Sequence, residues 1–317
     1  MIVRTSVLLC AMLALAACNQ SNDDGKTVVG FSQVGSESGW RTMFSESTKA
    51  EAARRGIELK FSDAQQKQEN QIKAIRSFIA QGVDAIIVAP VVETGWEPVL
   101  REAQREHIPV VIVDRNMALQ DDSLYLTRIA SDFVEEGRKA ARWLMDKTSG
   151  NCAIVELQGT VGATAAIDRM KGFNEVIAGY PGARIIRSQT AEFTRAKGKE
   201  VMESFLKAED PRKICAVWAH NDEMAIGAAL AIDEAGLKPG TDILLVSVDA
   251  IPDAFKAMMD GRLNATVELS PNMGGPAFDV IEQYLAGKRD FPKLISVNGD
   301  LFTQETAAAE YEKRRPQ

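Results

Sequence analysis

The stretch "VGFSQVGSESGWR", residues 29–41, opens as an apolar strand and turns polar within a few residues. A carboxylate, two hydroxyls, a flat ring and a guanidinium then crowd into residues 36–41. The pattern recurs along the chain, and the recurrence decides the fold. "VDAIIVAP" (83–90) and "IPVVIVDRN" (108–116) are apolar runs without alternation, the mark of strands covered on both faces in a parallel sheet. "GIELKFSD" (56–63) alternates, with Ile57, Leu59 and Phe61 on one face. Between these runs lie helical stretches: one after Trp40 to about Arg55, one across 65–82, and one across 94–107. In the second of these, Ile72, Ile75, Phe78 and Ile79 form an apolar stripe, and Gly82 stands where a C-cap belongs.

The alternation restarts after residue 130. "CAIVELQG", "ARIIRSQ", "ICAVWAHND", "ILLVSVDA" and "ATVEL" are five more strand candidates, with helices expected at 165–178, 197–207 and 224–235. At 317 residues the chain is too long for one ordinary core and suits two. No Gly/Ser-rich linker divides the halves; the join near 130–132 runs straight into "FVEEGRKAARWLMDK". The fold class is therefore α/β, with two Rossmann-like, doubly wound parallel-sheet domains meeting at a hinge. In such sheets strands one and three are neighbours, and their starts share an edge. Cys152 and Cys215 stand at those two starts in the second unit, so a disulfide is expected between them.

The first residues read as a leader. One basic residue precedes an apolar run over 7–17, too short to span a bilayer and suited to a signal-peptide core. Its end, Leu15-Ala16-Ala17-Cys18, resembles a bacterial lipobox, which implies a lipid on the Cys18 thiol and cleavage before it. Residues 1–17 are the expected signal and 18–26 a polar tether, so the chain is expected in the periplasm, anchored to a membrane through Cys18. Cys10 leaves with the signal, and an exported chain is one in which the Cys152–Cys215 bridge persists. A formal charge of −7 with scattered Lys and Arg argues against a nucleic-acid partner.

Ligands of open parallel sheets bind beyond the carboxyl ends of the strands. There this chain places "GSESGWR", Asp114-Arg115, "QGTVGATAAIDR", "TAEFTR", His220-Asn221-Asp222, Asp249 and Glu268. Carboxylates and guanidinium groups bond ring hydroxyls in a fork, and an aromatic plane packs against the apolar C–H face of a sugar. Trp40 supplies such a plane, and Glu37, Ser38 and Arg41 the polar edge; Phe193 is a second ring among the strand ends. No G-x-G-x-x-G follows the first strand, and Gly25-Lys26-Thr27 precedes it, so neither nucleotide motif is present. His107 and His220 are the only histidines, and there is no G-x-S-x-G, H-E-x-x-H or zinc spacing; no cofactor or metal is expected. The remaining enzymatic alternative is a glycosidase pairing Asp114 with Asp249 or Glu268.

Five stretches carry a resemblance: residues 29–41, 65–100, 155–169, 219–240 and 256–279. On them the chain resembles the periplasmic sugar-binding proteins of the ribose and galactose type that feed ABC transporters, and within these the galactofuranose-binding members. The resemblance implies the type I binding-protein fold, with three chain crossings between an N-terminal lobe (27–130 plus 269–294) and a C-terminal lobe (131–268 plus 295–317). It implies a cleft lined by Glu37, Ser38, Gly39, Trp40, Arg41, Asp114, Arg115, Arg169, Asn221 and Asp249. Glu268 stands where ribose-type members often carry Gln, and Ala89 where they often carry Asn, which argues against ribose. The expectation is a monomeric, non-enzymatic binder of a monosaccharide, galactofuranose first, that delivers it to an ABC transporter permease. A sensor presenting the sugar to a receptor is the alternative within the same fold.

Overall fold

The computed structural model describes residues 25–314. The signal peptide, Cys10 and the lipid site at Cys18 lie outside the described residues, as does most of the tether.

The chain begins with β1 (Val28–Gln33), α1 (Gly39–Arg55), β2 (Glu58–Asp63), α2 (Gln68–Ala80), β3 (Ala85–Val88), α3 (Glu97–Arg105), β4 (Val110–Val113) and β5 (Arg128–Ala130). It crosses through α4 (Phe133–Thr148) into β6 (Asn151–Gln158), α5 (Thr164–Ile177), β7 (Gly182–Thr190), α6 (Arg195–Ala208), β8 (Ala216–Ala219), α7 (Asp222–Glu234), β9 (Leu244–Asp249), α8 (Pro252–Met259) and β10 (Ala265–Leu269). It returns through α9 (Gly274–Leu285) to β11 (Leu294–Ser296), then crosses again to β12 (Asn298–Thr303) and α10 (Ala307–Arg314).

Two six-stranded sheets result, ordered β2-β1-β3-β4-β5-β11 and β7-β6-β8-β9-β10-β12. Each begins with the 2-1-3-4-5 order, and all neighbours are parallel except β12, which runs antiparallel to β10. Strands β3, β4 and β8 are buried at every residue, as their unbroken apolar runs require. Three strands lie outside the sequence expectation: β5, β11 and β12. β5 and β11 are three residues each, and β12, "NGDLFT", is half polar at a sheet edge. None offers a periodic apolar signal.

Helix ends follow local chemistry. Ser38 caps α1, accepting from the Arg41 N–H at 3.1 Å, and Asp132 caps α4, accepting from Glu135. Gly82 takes a left-handed conformation just past α2, while Gln65 and Gln66, expected inside that helix, are left-handed and precede it. The expected disulfide is present: β6 and β8 are hydrogen-bonded neighbours, and the Cα atoms of Cys152 and Cys215 lie 5.2 Å apart.

One close contact sets the site. Helices α4 and α5 touch backbone to backbone, and a Cβ on Gly137 would lie 2.1 Å from the Arg169 carbonyl oxygen. A Cβ on Gly172 would lie 1.9 Å from that of Val134. Only glycine permits this approach, and it brings Arg169 against Glu136 on α4, Nε to Oε2 at 2.8 Å.

Candidate sugar site between the two sheets

The carboxyl ends of both sheets converge on one cavity. From the first lobe come Glu37, Ser38, Trp40 and Arg41 after β1, and Asp114 and Arg115 after β4. From the second come Arg169 on α5, Phe193 after β7, Asn221 after β8 and Asp249 at the end of β9. Ala165 and Leu269 complete the wall.

Arg41 organises the first half. Its Nη1 donates to Asp114 Oδ2 at 2.8 Å and to Gln33 Oε1 at 3.3 Å, and its Nε donates to Glu37 Oε1 at 3.3 Å. Burial acts to lower the Arg41 pKa, but Asp114 and Glu37 outweigh it and hold it raised. The guanidinium lies 4.8 Å from the Trp40 ring centroid, and Trp40 Nε1 donates to the Leu269 carbonyl at 2.6 Å. Trp40 is thereby fixed in place and 3% exposed, with its ring in the cavity wall. Asp114 and Arg115 are not on the surface: they are 1% and 3% exposed, and Asp114 hydrogen-bonds Arg41 while Arg115 Nε stands 3.9 Å from the same carboxylate oxygen. Arg115 donates to the Val91 carbonyl at 2.9 Å and lies 5.1 Å from the Phe193 ring of the opposite lobe. Burial, and then the neighbouring Arg41 charge, pushes Arg115 down to about 10.

In the second half, Phe193 adopts a positive φ of 62° and lays its ring over Gly159, where a Cβ would come within 1.9 Å of it. Asn221 caps α7, accepting from Met224, and donates to the Phe193 carbonyl at 3.1 Å. Arg169 donates through Nη1 to the His220 carbonyl at 2.7 Å, and its Nη2 stands 3.9 Å from Asp249. Burial raises the Asp249 pKa well above the usual carboxylate range, against the pull of Arg169. His220 faces away from the cavity, toward Glu156 at 3.1 Å.

Ten of the twelve residues expected at the site line this cavity. Gly39 does not; its N–H donates to Glu223 Oε1 of the opposite lobe at 3.0 Å. Glu268 does not either. It packs over Gly299 of β12 and pairs with Arg314 at 2.6 Å, outside the cavity, while Leu269 faces in. One residue along a strand exchanges faces, so the sequence placed the strand end correctly and the side chain one position away. Glu136, which holds Arg169, carries no signal in the sequence beyond a charge in a helix.

The arrangement favours a particular ligand chemistry. Three guanidinium groups face three carboxylates, Glu37, Asp114 and Asp249, so the cavity suits an uncharged molecule rich in donors and acceptors. Glu37 Oε2, Arg115 Nε and Arg169 Nη2 are buried with no hydrogen-bond partner among the described residues. Each such atom costs about 1–3 kcal/mol until it is bonded. The lobes also touch directly: Glu93 N–H donates to the Gly162 carbonyl at 3.0 Å, and Asn116 N–H to Thr164 Oγ1 at 2.9 Å. The conformation is closed over the cavity.

Comparison with known proteins agrees with this geometry. Residues 29–289 match the family model described as "Periplasmic binding protein domain". The galactofuranose-binding protein YtfQ of Escherichia coli (strain K12) is 58% identical over 289 residues, 90% of this chain and 91% of the relative. The periplasmic binding component of the arabinose ABC transporter from Shewanella sp. ANA-3, solved bound to α- and β-L-arabinofuranose, is 76% identical with a TM-score of 0.90. That match covers 91% of this chain and 96% of the other. A Mycobacterium smegmatis structure in complex with β-D-fucofuranose is 46% identical with a TM-score of 0.88, covering 91% and 95%. These are binding proteins, and the glycosidase alternative falls away with them; Glu268 also lies outside the cavity. Two parallel-sheet lobes closing on a neutral, polar, aromatic-walled cavity, matched over nearly all of the described chain, make this protein a member of the periplasmic binding protein family.

Proposed function

We propose that the protein captures a furanose sugar in the cavity between its lobes and delivers it to the membrane permease of an ABC transporter. The observation that carries the reading is the set of buried, unpartnered donors and acceptors on Glu37, Arg115 and Arg169, which ring hydroxyls would satisfy. Trp40 and Phe193 supply planes for the C–H faces of the ring. The ligands named for the relatives point the same way. L-Arabinofuranose, D-galactofuranose and D-fucofuranose share one ring configuration and differ in the arm carried on C4. A site that reads the ring through Arg41, Asp114, Arg169 and Asp249 would accept all three. Higher identity to the arabinose component, 76% against 58%, favours arabinofuranose as the tighter ligand, ahead of the galactofuranose the sequence alone put first. The same reading divides the chain into lobes that meet at the three crossings, and places it in the periplasm, held by a lipid on Cys18.

Calorimetry against equilibrium solutions of L-arabinose, D-galactose, D-fucose and D-ribose, with methyl galactopyranoside as a ring-locked control, tests the proposal. Arabinose and galactose should bind, with apparent stoichiometry set by their furanose fraction, and should be recovered intact. Binding of the locked pyranoside as tightly as free galactose would overturn the furanose reading.

A further inference from the structure

We propose that Asp222, which lies behind the cavity wall, positions Asp249 for the sugar by holding the turn on which Asp249 stands. The inference rests on the reading of Asp249 as a sugar-contacting residue. Asp249 ends β9, and the chain must turn at once into α8. It does so through two consecutive non-glycine residues with positive φ, Asp249 at 125° and Ala250 at 59°. Such conformations are costly and persist only where surrounding contacts over-determine them.

Those contacts converge on Asp222. Its carboxylate is fully buried at the first turn of α7. Oδ2 accepts from the Ile251 N–H at 2.9 Å, just past the turn. Oδ1 accepts from Ser247 Oγ at 2.5 Å, two residues before Asp249 on β9, and from Thr266 Oγ1 at 2.7 Å on β10. Thr266 Oγ1 in turn accepts from the Ala250 N–H at 3.2 Å. The chain on both sides of Asp249 is thus tied to one carboxylate, through the Ser247 side chain before it and the Ile251 backbone after it. Asp222 does not line the cavity, whereas its neighbour Asn221 does. A buried carboxylate answered by three donors is shaped to hold this turn, and the turn aims the Asp249 side chain toward Arg169 and the cavity.

The test is a double-mutant cycle on arabinose affinity with Asp222→Asn and Asp249→Ala. Asparagine keeps the shape but turns one acceptor into a donor. Ile251 N–H can only donate, so the amide oxygen faces it and the amide nitrogen faces Ser247 and Thr266. Both hydroxyl protons then lose their acceptor, and Asp222→Asn alone should weaken binding about tenfold. In the Asp249→Ala background the same change should alter affinity by less than about twofold, because there is no carboxylate left to aim. A residue that merely supports the fold would cost the same factor in both backgrounds, and that result overturns the proposal, as does unchanged affinity of the single variant. Should Asp222→Asn fail to fold, Thr266→Val takes its place in the cycle. That change removes the hydroxyl joining Asp222 to Ala250, and it should weaken binding in the wild-type background and not in Asp249→Ala; an equal loss in both, or none, overturns the proposal. Asp249→Ala alone separates the premise: full affinity in that variant overturns the site reading itself, and this inference with it.

Discussion

Replacing both Cys152 and Cys215 by alanine should strongly destabilise the second lobe and leave sugar binding untouched. The bridge closes a loop of 63 residues between the starts of β6 and β8. In the chain-entropy treatment, a loop of that length removes enough freedom from the unfolded chain to be worth about 4 kcal/mol at 25 °C. Loss of the sulfur contacts of buried Cys152 and half-buried Cys215 adds about 1 kcal/mol. For a unit of this size, each kcal/mol moves the melting temperature by roughly 2–4 °C, so the double variant should melt about 10–20 °C lower. The bridge lies at the amino edge of the sheet, and Gln158, at the far end of β6, is roughly 20 Å away at about 3.3 Å per residue. The cavity is at that far edge, so the dissociation constant for arabinose should change less than about twofold. Denaturant unfolding without sugar gives the stability difference, calorimetry gives the affinity, and mass spectrometry of unreduced, alkylated wild-type protein confirms the bridge. A stability loss under about 1 kcal/mol would refute the chain-entropy argument. A large loss of affinity in a folded variant would refute the separation of bridge from site.

Trp40→Ala should weaken sugar binding by about 1–3 kcal/mol, the range for loss of one stacking ring, with circular dichroism unchanged; wild-type affinity in the variant would return Trp40 to a packing role against Arg41 and Leu269. Glu223→Gln should speed sugar release about two- to tenfold, because the Glu223 carboxylate meets the N-terminus of α1 at Gly39 across the cleft without lining the cavity. Stopped-flow release reads the rate, and small-angle scattering of the sugar-free variant should show a larger radius of gyration than saturated wild type; equal release rates would remove Glu223 from closure.

Much of this protein is legible in the sequence because its strands are covered on both faces. "AIIV", "VVIV" and "AVWA" have no polar side to confuse with a helix stripe, and turn residues bound each of them. Once the parallel order is fixed, two further results follow: binding groups collect at the carboxyl ends, and Cys152 and Cys215 start adjacent strands. Tertiary structure alone decided the rest. Whether Glu268 or Leu269 faces the cavity depends on how β10 pairs with β12 across a register shift, a long-range property that no local pattern records. The edge strands β11 and β12 are too short or too polar to announce themselves, and exist because a neighbouring strand offers them hydrogen bonds. Glu136, Asp222 and Glu223 look in sequence like ordinary helix charges. Their partners, Arg169, the Asp249 turn and Gly39, are brought to them by close helix packing, the strand order and closure of the lobes.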